Sequence, residues 1–428
     1  MNNKLLLTTA EMGLGHLRAL KPFEELFKRR IHILGQDKYS SQRERFLWRT
    51  TLRTYEWFSK AKQIPIIGTA IFSILDKLLE INESNSKSKG NNIAFQVKIL
   101  GTFINQGACK ELKIKCETQS YRTILTSFYA PVHFAAKKLK EQTVFCQICD
   151  TDISRVWVPQ NPKAENIQYF APCAEVVERL KAYGVCLSKI HLVGFPLPIE
   201  LVGGKGQEIA IDNYTKRLSF LQETRKFSSS TPLRITYVIG GAGAMVGLAK
   251  RIAKGLKQEI LNGSVVLTIV PNPKKRTISR FIAFKKNHFN NSEGLHILNT
   301  HNYEEYFKRF SSIIVSTHLL WTKPSELTFY SSLGIPIIMA PPLGAQEIAN
   351  REWLIKNNIA IDQANPETCK DWLLDLLESG LLWPMAKNGW VQGRRIAVHE
   401  ISDILNTFDN ENSCEKNMKK QNLFVETN

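Results

Sequence analysis

The sequence of 428 residues holds no stretch approaching eighteen consecutive apolar residues, so no transmembrane helix is expected. MNNKLLLTTAEMG is a poor signal peptide, because its apolar run is brief and acidic and glycine-rich steps follow. Eight cysteines, at 109, 116, 146, 149, 173, 186, 369 and 414, lack the density and cadence of a disulfide scaffold. Only Cys146 and Cys149 have metal-like spacing, but CQIC lies inside the apolar run TVFCQIC and no second pair completes a ligand set. Both are expected to be buried strand thiols. Acidic residues are scarce, 39 against 57 Lys and Arg, which leaves a formal charge of +18. That field favours an acidic partner: nucleic acid, an anionic membrane or a phosphorylated small molecule. No zinc finger, basic helix-turn-helix or aromatic β-platform accompanies it, so a noncatalytic nucleic-acid-binding protein is the weaker reading.

What is present is a repeated unit of apolar strand, loop and helix. Strands are expected at KLLLTTA, FQVKILGTFI (95–104), YRTILTS, QTVFCQIC, KAENIQYFAP and SKIHLVGFPLP, with helices from about His16, at VHFAAKKLK and at AEVVERLKAYG. Residues 200–232, from VGGKG through a charged helix to FSSSTP, read as a linker. A second set follows: ITYVIGG, SVVLTIVPNP, GLHILNT, SSIIVST and IPIIMAPP. Strands alternating with single helices imply parallel sheets covered on both faces, hence two similar α/β domains, 1–199 and 233–405, with a ligand cleft between them. The segment 43–80 breaks this pattern. Its aromatics, among them Trp48, Trp57 and Phe58, are interleaved with Arg43, Arg45, Arg49 and Arg53, which suits either an inserted helical subdomain or a surface for anionic lipid. Residues 406–428 read as a flexible tail.

Three loops carry candidate chemistry. In EMGLGHLRA, Gly13 and Gly15 break a strand before a helix whose first turn holds His16 and Arg18. This is either a tight reversal or a helix end offering amides to an anion, with His16 able to accept a proton near neutral pH. In YVIGGAGAM, Gly240, Gly241 and Gly243 lie between strand and helix, where amides can converge on phosphate. The loop has neither a Walker ending nor the dinucleotide order of glycines. The third segment, STHLLWTKPSELTFYSSLGIPIIMAPPLGAQEIANREWL, is expected to end a strand at Ser316 and Thr317 and to form a short helix over 325–333. A further strand then brings Gly344, Gln346, Glu347 and Asn350 to its carboxyl end. Lys323 is a candidate to neutralise phosphate, Gln346 and Glu347 to bind sugar hydroxyls.

These pieces resemble a known family. GLGHLRA, TDI (151–153), CAEVVERLKAYGVCLSKIHLVGFPLP (173–198), VIGGAGAM, TKPSELT (322–328) and GIPIIMAPPLGAQEIANREWL (334–354) are similar, in order, to the GT-B glycosyltransferases. The branch is that of monogalactosyldiacylglycerol synthases and processive diacylglycerol glucosyltransferases, more remotely the lipid II N-acetylglucosaminyltransferase. The resemblance implies an α/β fold of two Rossmann-like domains with a helical insertion in the first. It implies inverting transfer of a hexose from a nucleotide sugar, a UDP-sugar first among them, to a lipid or lipid-linked hydroxyl. No tightly bound cofactor and no metal are expected, and the protein would be cytoplasmic, peripheral at the inner face of the cell membrane. His16 would stand on the acceptor side as base. Asp152, also at a strand end, is the alternative base or an orienting partner, and Asp150, nearer the buried strand, is set aside. Gly241 and Gly243 would border the diphosphate, and Gln346 and Glu347 the donor. Two family residues are missing: TDISRVWVPQ has no histidine, and Glu326 precedes its helix instead of occupying the place of the ribose-binding acid. A UDP-sugar 2-epimerase and a degenerate noncatalytic relative are the alternatives.

Overall fold

The computed structural model describes residues 4–61, 91–240 and 245–408. The first sheet comprises β1 (Leu5–Thr9), β2 (His32–Ile33), β3 (Thr123–Thr126), β4 (Thr143–Gln147), β5 (Ile167–Ala171) and β6 (Ile190–Leu192), all parallel, in the order β2-β1-β3-β4-β5-β6. The second comprises β7 (Leu233–Val238), β8 (Val265–Val270), β9 (Leu295–Ile297), β10 (Leu319–Thr322), β11 (Ile337–Met339) and β12 (Ala360–Asp362), again all parallel, in the order β12-β11-β10-β7-β8-β9. Strands such as LLLTT and TILT are buried at every position, as a sheet covered on both faces requires. Each chain path reverses once, between β1 and β3 in the first sheet and between β7 and β10 in the second. Ligands of open α/β sheets bind at the carboxyl ends of such strand pairs. The fold is GT-B, two Rossmann-like halves meeting across a cleft.

Two expected strands are helices. FQVKILGTFI falls in the helix Asn91–Asn105, where Leu100 and Ile104 are buried at fourfold spacing. SSIIVST falls at the end of the helix Tyr303–Val315, whose buried Tyr306, Phe307, Phe310 and Ile314 follow the helical period, and the strand comes next, at Leu319–Thr322. A continuous apolar run does not by itself distinguish a buried strand from a buried helix. The span 200–232 contains the expected helix, Glu208–Glu223, but it is not a free connector. Arg217 is buried and its guanidinium donates to the carbonyls of Thr317 and Leu333, tying the helix to the second domain. The chain then returns: Ala397, Val398, Ile401 and Leu405 pack against Leu5, Leu7, Phe145 and Phe170 of the first sheet. Of the insertion, the helix Gln42–Ala61 covers the start, while 62–80 lies outside the described residues, as do residues 409–428 of the expected tail. Cys146 and Cys149 are buried and free.

Candidate functional site

The site lies where the two strand reversals face each other. At the end of β1, Gly13 has φ +110, which an L side chain rarely adopts, and it starts the helix Leu14–Phe27. Gly15 is glycine for a different reason: a Cβ there would lie 2.9 Å from Glu326 Oε2, a residue of the second domain. The turn is therefore a point of close interdomain approach as well as a reversal.

His16 follows, and β1 and β3 jointly fix it. Its Nδ1 donates to the Ser127 carbonyl at 2.7 Å, while the Ser127 hydroxyl donates to the His16 carbonyl at 2.7 Å and, at 2.8 Å, receives the hydroxyl of Thr9. A carbonyl can only accept, so the proton of the neutral ring sits on Nδ1 and Nε2 carries the lone pair. Phe128 meets the ring edge-on, centroids 5.1 Å apart, and Trp157 lies at 6.1 Å. Burial lowers the imidazole pKa below its usual value, outweighing the bond to Ser127 and the charge of Glu326. The ring is thus neutral at physiological pH and competent to accept a proton.

Arg18, two residues along, is a first-domain side chain held inside the second domain. Its guanidinium lies 4.4 Å from the Phe310 ring centroid and between 5.3 and 5.8 Å from those of Phe307, Tyr330 and Tyr306. Its Nε donates to Glu326 at 3.1 Å. Glu326, which opens the 3-10 helix Glu326–Leu333, thus faces Gly15 and Arg18.

The two aspartates separate. Asp152 is clamped by Arg179 through bonds of 2.8 and 2.7 Å, and its Oδ1 also accepts from the backbone of Ile153. Asp150 faces the cleft, where Asn350 Nδ2 donates to it at 2.9 Å. Burial, opposed by that bond and then reinforced by Glu326 and Glu347, pushes the Asp150 carboxyl up to about 6. The buried Asn350 uses its whole amide: Oδ1 accepts from the Thr151 backbone and hydroxyl at 2.8 and 2.9 Å, and Nδ2 also donates to the Pro324 carbonyl at 3.2 Å. It joins the domains, leaving no amide valence for a donor.

On the second domain, Lys323 follows β10 and pairs with Glu347, whose Oε2 accepts from the Leu343 backbone at 2.7 Å. A Cβ on Gly240 would lie 2.6 Å from Lys323 Cε, so the lysine stem covers the start of the glycine loop. Gly241 and Gly243 lie outside the described residues. Gly344 is the N-cap of the helix Ala345–Lys356, and Gln346 stands in its first turn without a hydrogen-bond partner among the described residues. Among the described residues no group of three His, Cys, Asp or Glu side chains is placed to hold a metal ion, and no helix is long and apolar enough to cross a membrane.

The sequence-selected His16, Gly15, Lys323, Glu326, Glu347 and Asn350 thus converge, and Asp152 is drawn off to Arg179. Ser127, Arg18 as an interdomain anchor and Asp150 as the cleft carboxylate had no assigned role. The position of Ser127 directly after an apolar strand that pairs with β1 was the available signal for it.

No protein-family model matches the chain. Over 370 residues, 84% of this chain and 82% of the relative, it is 21% identical to a processive diacylglycerol beta-glucosyltransferase of Bacillus cereus (strain G9842). Among solved structures it is similar to the UDP-GlcNAc 2-epimerase from Neisseria meningitidis bound to UDP-GlcNAc, with TM-score 0.50, 12% identity, 94% of this chain and 100% of that chain covered. It also matches Acinetobacter baumannii MurG at TM-score 0.47 and 14% identity, covering 94% of this chain and 99% of that one. The chain resembles GT-B glycosyltransferases of the diacylglycerol glucosyltransferase branch.

Proposed function

We propose that the protein is an inverting glycosyltransferase that moves a hexose from a nucleotide sugar, a UDP-sugar by the resemblance, to the hydroxyl of a lipid acceptor at a membrane surface. The observation that carries this reading is the fixed tautomer of His16: a neutral imidazole with its lone pair on Nε2, at the first domain's strand reversal, where Glu326 of the second domain approaches Gly15. In the displacement, the acceptor O–H gives its proton to Nε2 and the acceptor oxygen bonds to the anomeric carbon. The anomeric C–O bond to phosphate breaks, its electron pair leaving with the nucleoside diphosphate. Lys323 and the amides opening the helix Ala345–Lys356 are assigned to take up that charge. Gly241, Gly243 and Gln346 are assigned to the donor with them. Glu347 holds Lys323 in place, and Glu326 sets the spacing against Gly15. Asp150, not Asp152, is the carboxylate assigned to orient reactants in the cleft.

The similarity to a diacylglycerol glucosyltransferase along most of both chains supports transfer to a lipid, and the epimerase likeness speaks to fold. The test is incubation with UDP-, GDP- and ADP-sugars with and without lipid acceptor, measuring free nucleoside diphosphate. Acceptor-dependent UDP release is expected. Conversion of the donor sugar without an acceptor would instead identify an epimerase, and absence of nucleotide binding across the panel in folded protein would overturn both enzymatic readings.

A further inference from the structure

Beside the first-domain reversal, the loops after β1 and β2 and the helix Gln42–Ala61 enclose a cavity of about 300 Å³. Its apolar wall is Met12, Leu34, Trp48 and Leu52, and Arg45 and Arg49 line it as well. The enclosure is built into the backbone. Gly35 has φ +77, and a Cβ there would meet the Trp48 ring at 2.7 Å, so the loop after β2 reaches this position only as glycine. Trp48 is separated from His16 by one aromatic layer: the Trp48 and Phe128 centroids are 6.2 Å apart, those of Phe128 and His16 5.1 Å.

The charges are not equally engaged. Glu11, on the rim, has both oxygens occupied, by Tyr303 at 3.1 Å and Gln36 at 2.6 Å. Arg45 donates once, to the Asp37 carbonyl at 2.9 Å. Arg49 is exposed and has neither ion pair nor hydrogen bond among the described residues. On the same helix Phe46 is 67% exposed, next to Arg43 and Arg45, which suits contact with an anionic lipid surface.

We infer that this cavity binds the headgroup end of a phosphate-bearing lipid, with phosphate at Arg49 and Arg45 and the adjoining carbons against Met12, Leu34, Trp48 and Leu52. The space equals the liquid volume of about ten water molecules, at roughly 30 Å³ each. That is enough for a phosphate and a short carbon skeleton but not for acyl chains, which stay in the bilayer. Resting on the transferase reading, the inference makes an anionic phospholipid the acceptor, its headgroup hydroxyl directed past Phe128 toward His16. An arginine that no described residue pairs, beside an apolar wall, favours such a headgroup over a neutral diglyceride.

The test uses the full chain and monomeric short-chain probes: dihexanoyl phosphatidylglycerol, dihexanoylglycerol and inorganic phosphate, with binding followed by calorimetry. The charged lipid is expected to bind at least tenfold tighter than the neutral one. Arg49→Gln should remove most of that difference, and Arg43→Gln, the same charge change outside the cavity, should keep it. Equal affinity for the two lipids, equal loss in both variants, or full displacement of the lipid by an equal concentration of inorganic phosphate would each overturn the inference. UDP binding on the same preparations separates the two proposals. UDP binding without charged-lipid preference leaves the transferase reading and removes this one; Arg49-dependent lipid binding without UDP binding does the reverse, keeping the lipid site.

Discussion

The domain seam and the cavity under the helix Gln42–Ala61 use charge in opposite ways. At the seam, Arg18 is held by Glu326 within four aromatic rings, Lys323 by Glu347, Asp152 by Arg179, and Asp150 by the amide of Asn350. In the cavity, Arg49 has no such partner among the described residues. Charges satisfied internally set a geometry, and a charge left open beside apolar surface is available to a ligand. Substitutions at the seam should therefore change catalysis and stability, and Arg49→Gln should change lipid binding with the thermal midpoint preserved.

The largest effect is expected at His16. His16→Ala should lower kcat about 10²–10⁴-fold, the range for removal of a general base, with UDP affinity unchanged in direct titration. Because burial lowers the imidazole pKa, the acidic limb of kcat/KM against pH should lie below the usual histidine value and disappear in the variant. Arg18→Ala should destabilise the protein by about 3 kcal/mol, since it leaves Glu326 without its cation and empties the aromatic cage; the thermal midpoint reads this. Asn350→Ala should cost about 2 kcal/mol by stranding Asp150 and the Thr151 backbone N–H, and urea unfolding measures it.

The smallest effect has the opposite sign. The Asp150 carboxyl is raised to about 6 in the folded protein from an ordinary value of 3.8. Below both values the group is neutral in either state and contributes no pH-dependent difference. As pH rises through them, the folded state carries an ionised carboxylate beside Glu326 and Glu347, and stability falls. Asp150→Asn should therefore stabilise by on the order of 1–2 kcal/mol at pH 8, with the gain vanishing toward pH 4. Midpoints measured across that range decide it.

Much of this was legible from spacing. A glycine pair after an apolar strand located the turn at Gly13 and Gly15, and TKPSELTFYSSLG announced the short helix that Gly334 ends at φ +71. The misread strands were runs in which the apolar signal outweighed the period. For 303–315 a capping signal was available, since the Asn302 side chain accepts from the Glu305 backbone and Glu305 from that of His301. The short strands β2 and β12, of two and three residues, leave too little pattern to see. Asp150 was set aside because its neighbours in sequence are buried. What turns it to the cleft is Asn350, two hundred residues away, and no local pattern encodes such a contact. The same holds for Gly15, whose reason is the approach of Glu326.

The most direct measurement of the central claim is transfer of radiolabelled hexose from UDP-hexose to lipid in a single turnover, comparing the wild-type protein with His16→Ala at matched UDP-sugar occupancy. Labelled lipid and stoichiometric UDP are expected from the wild type, and a rate at least a hundredfold lower from the variant, the lower bound for loss of a general base. Equal rates would remove His16 as the base, and no labelled lipid from wild-type protein saturated with donor would contradict the transferase itself.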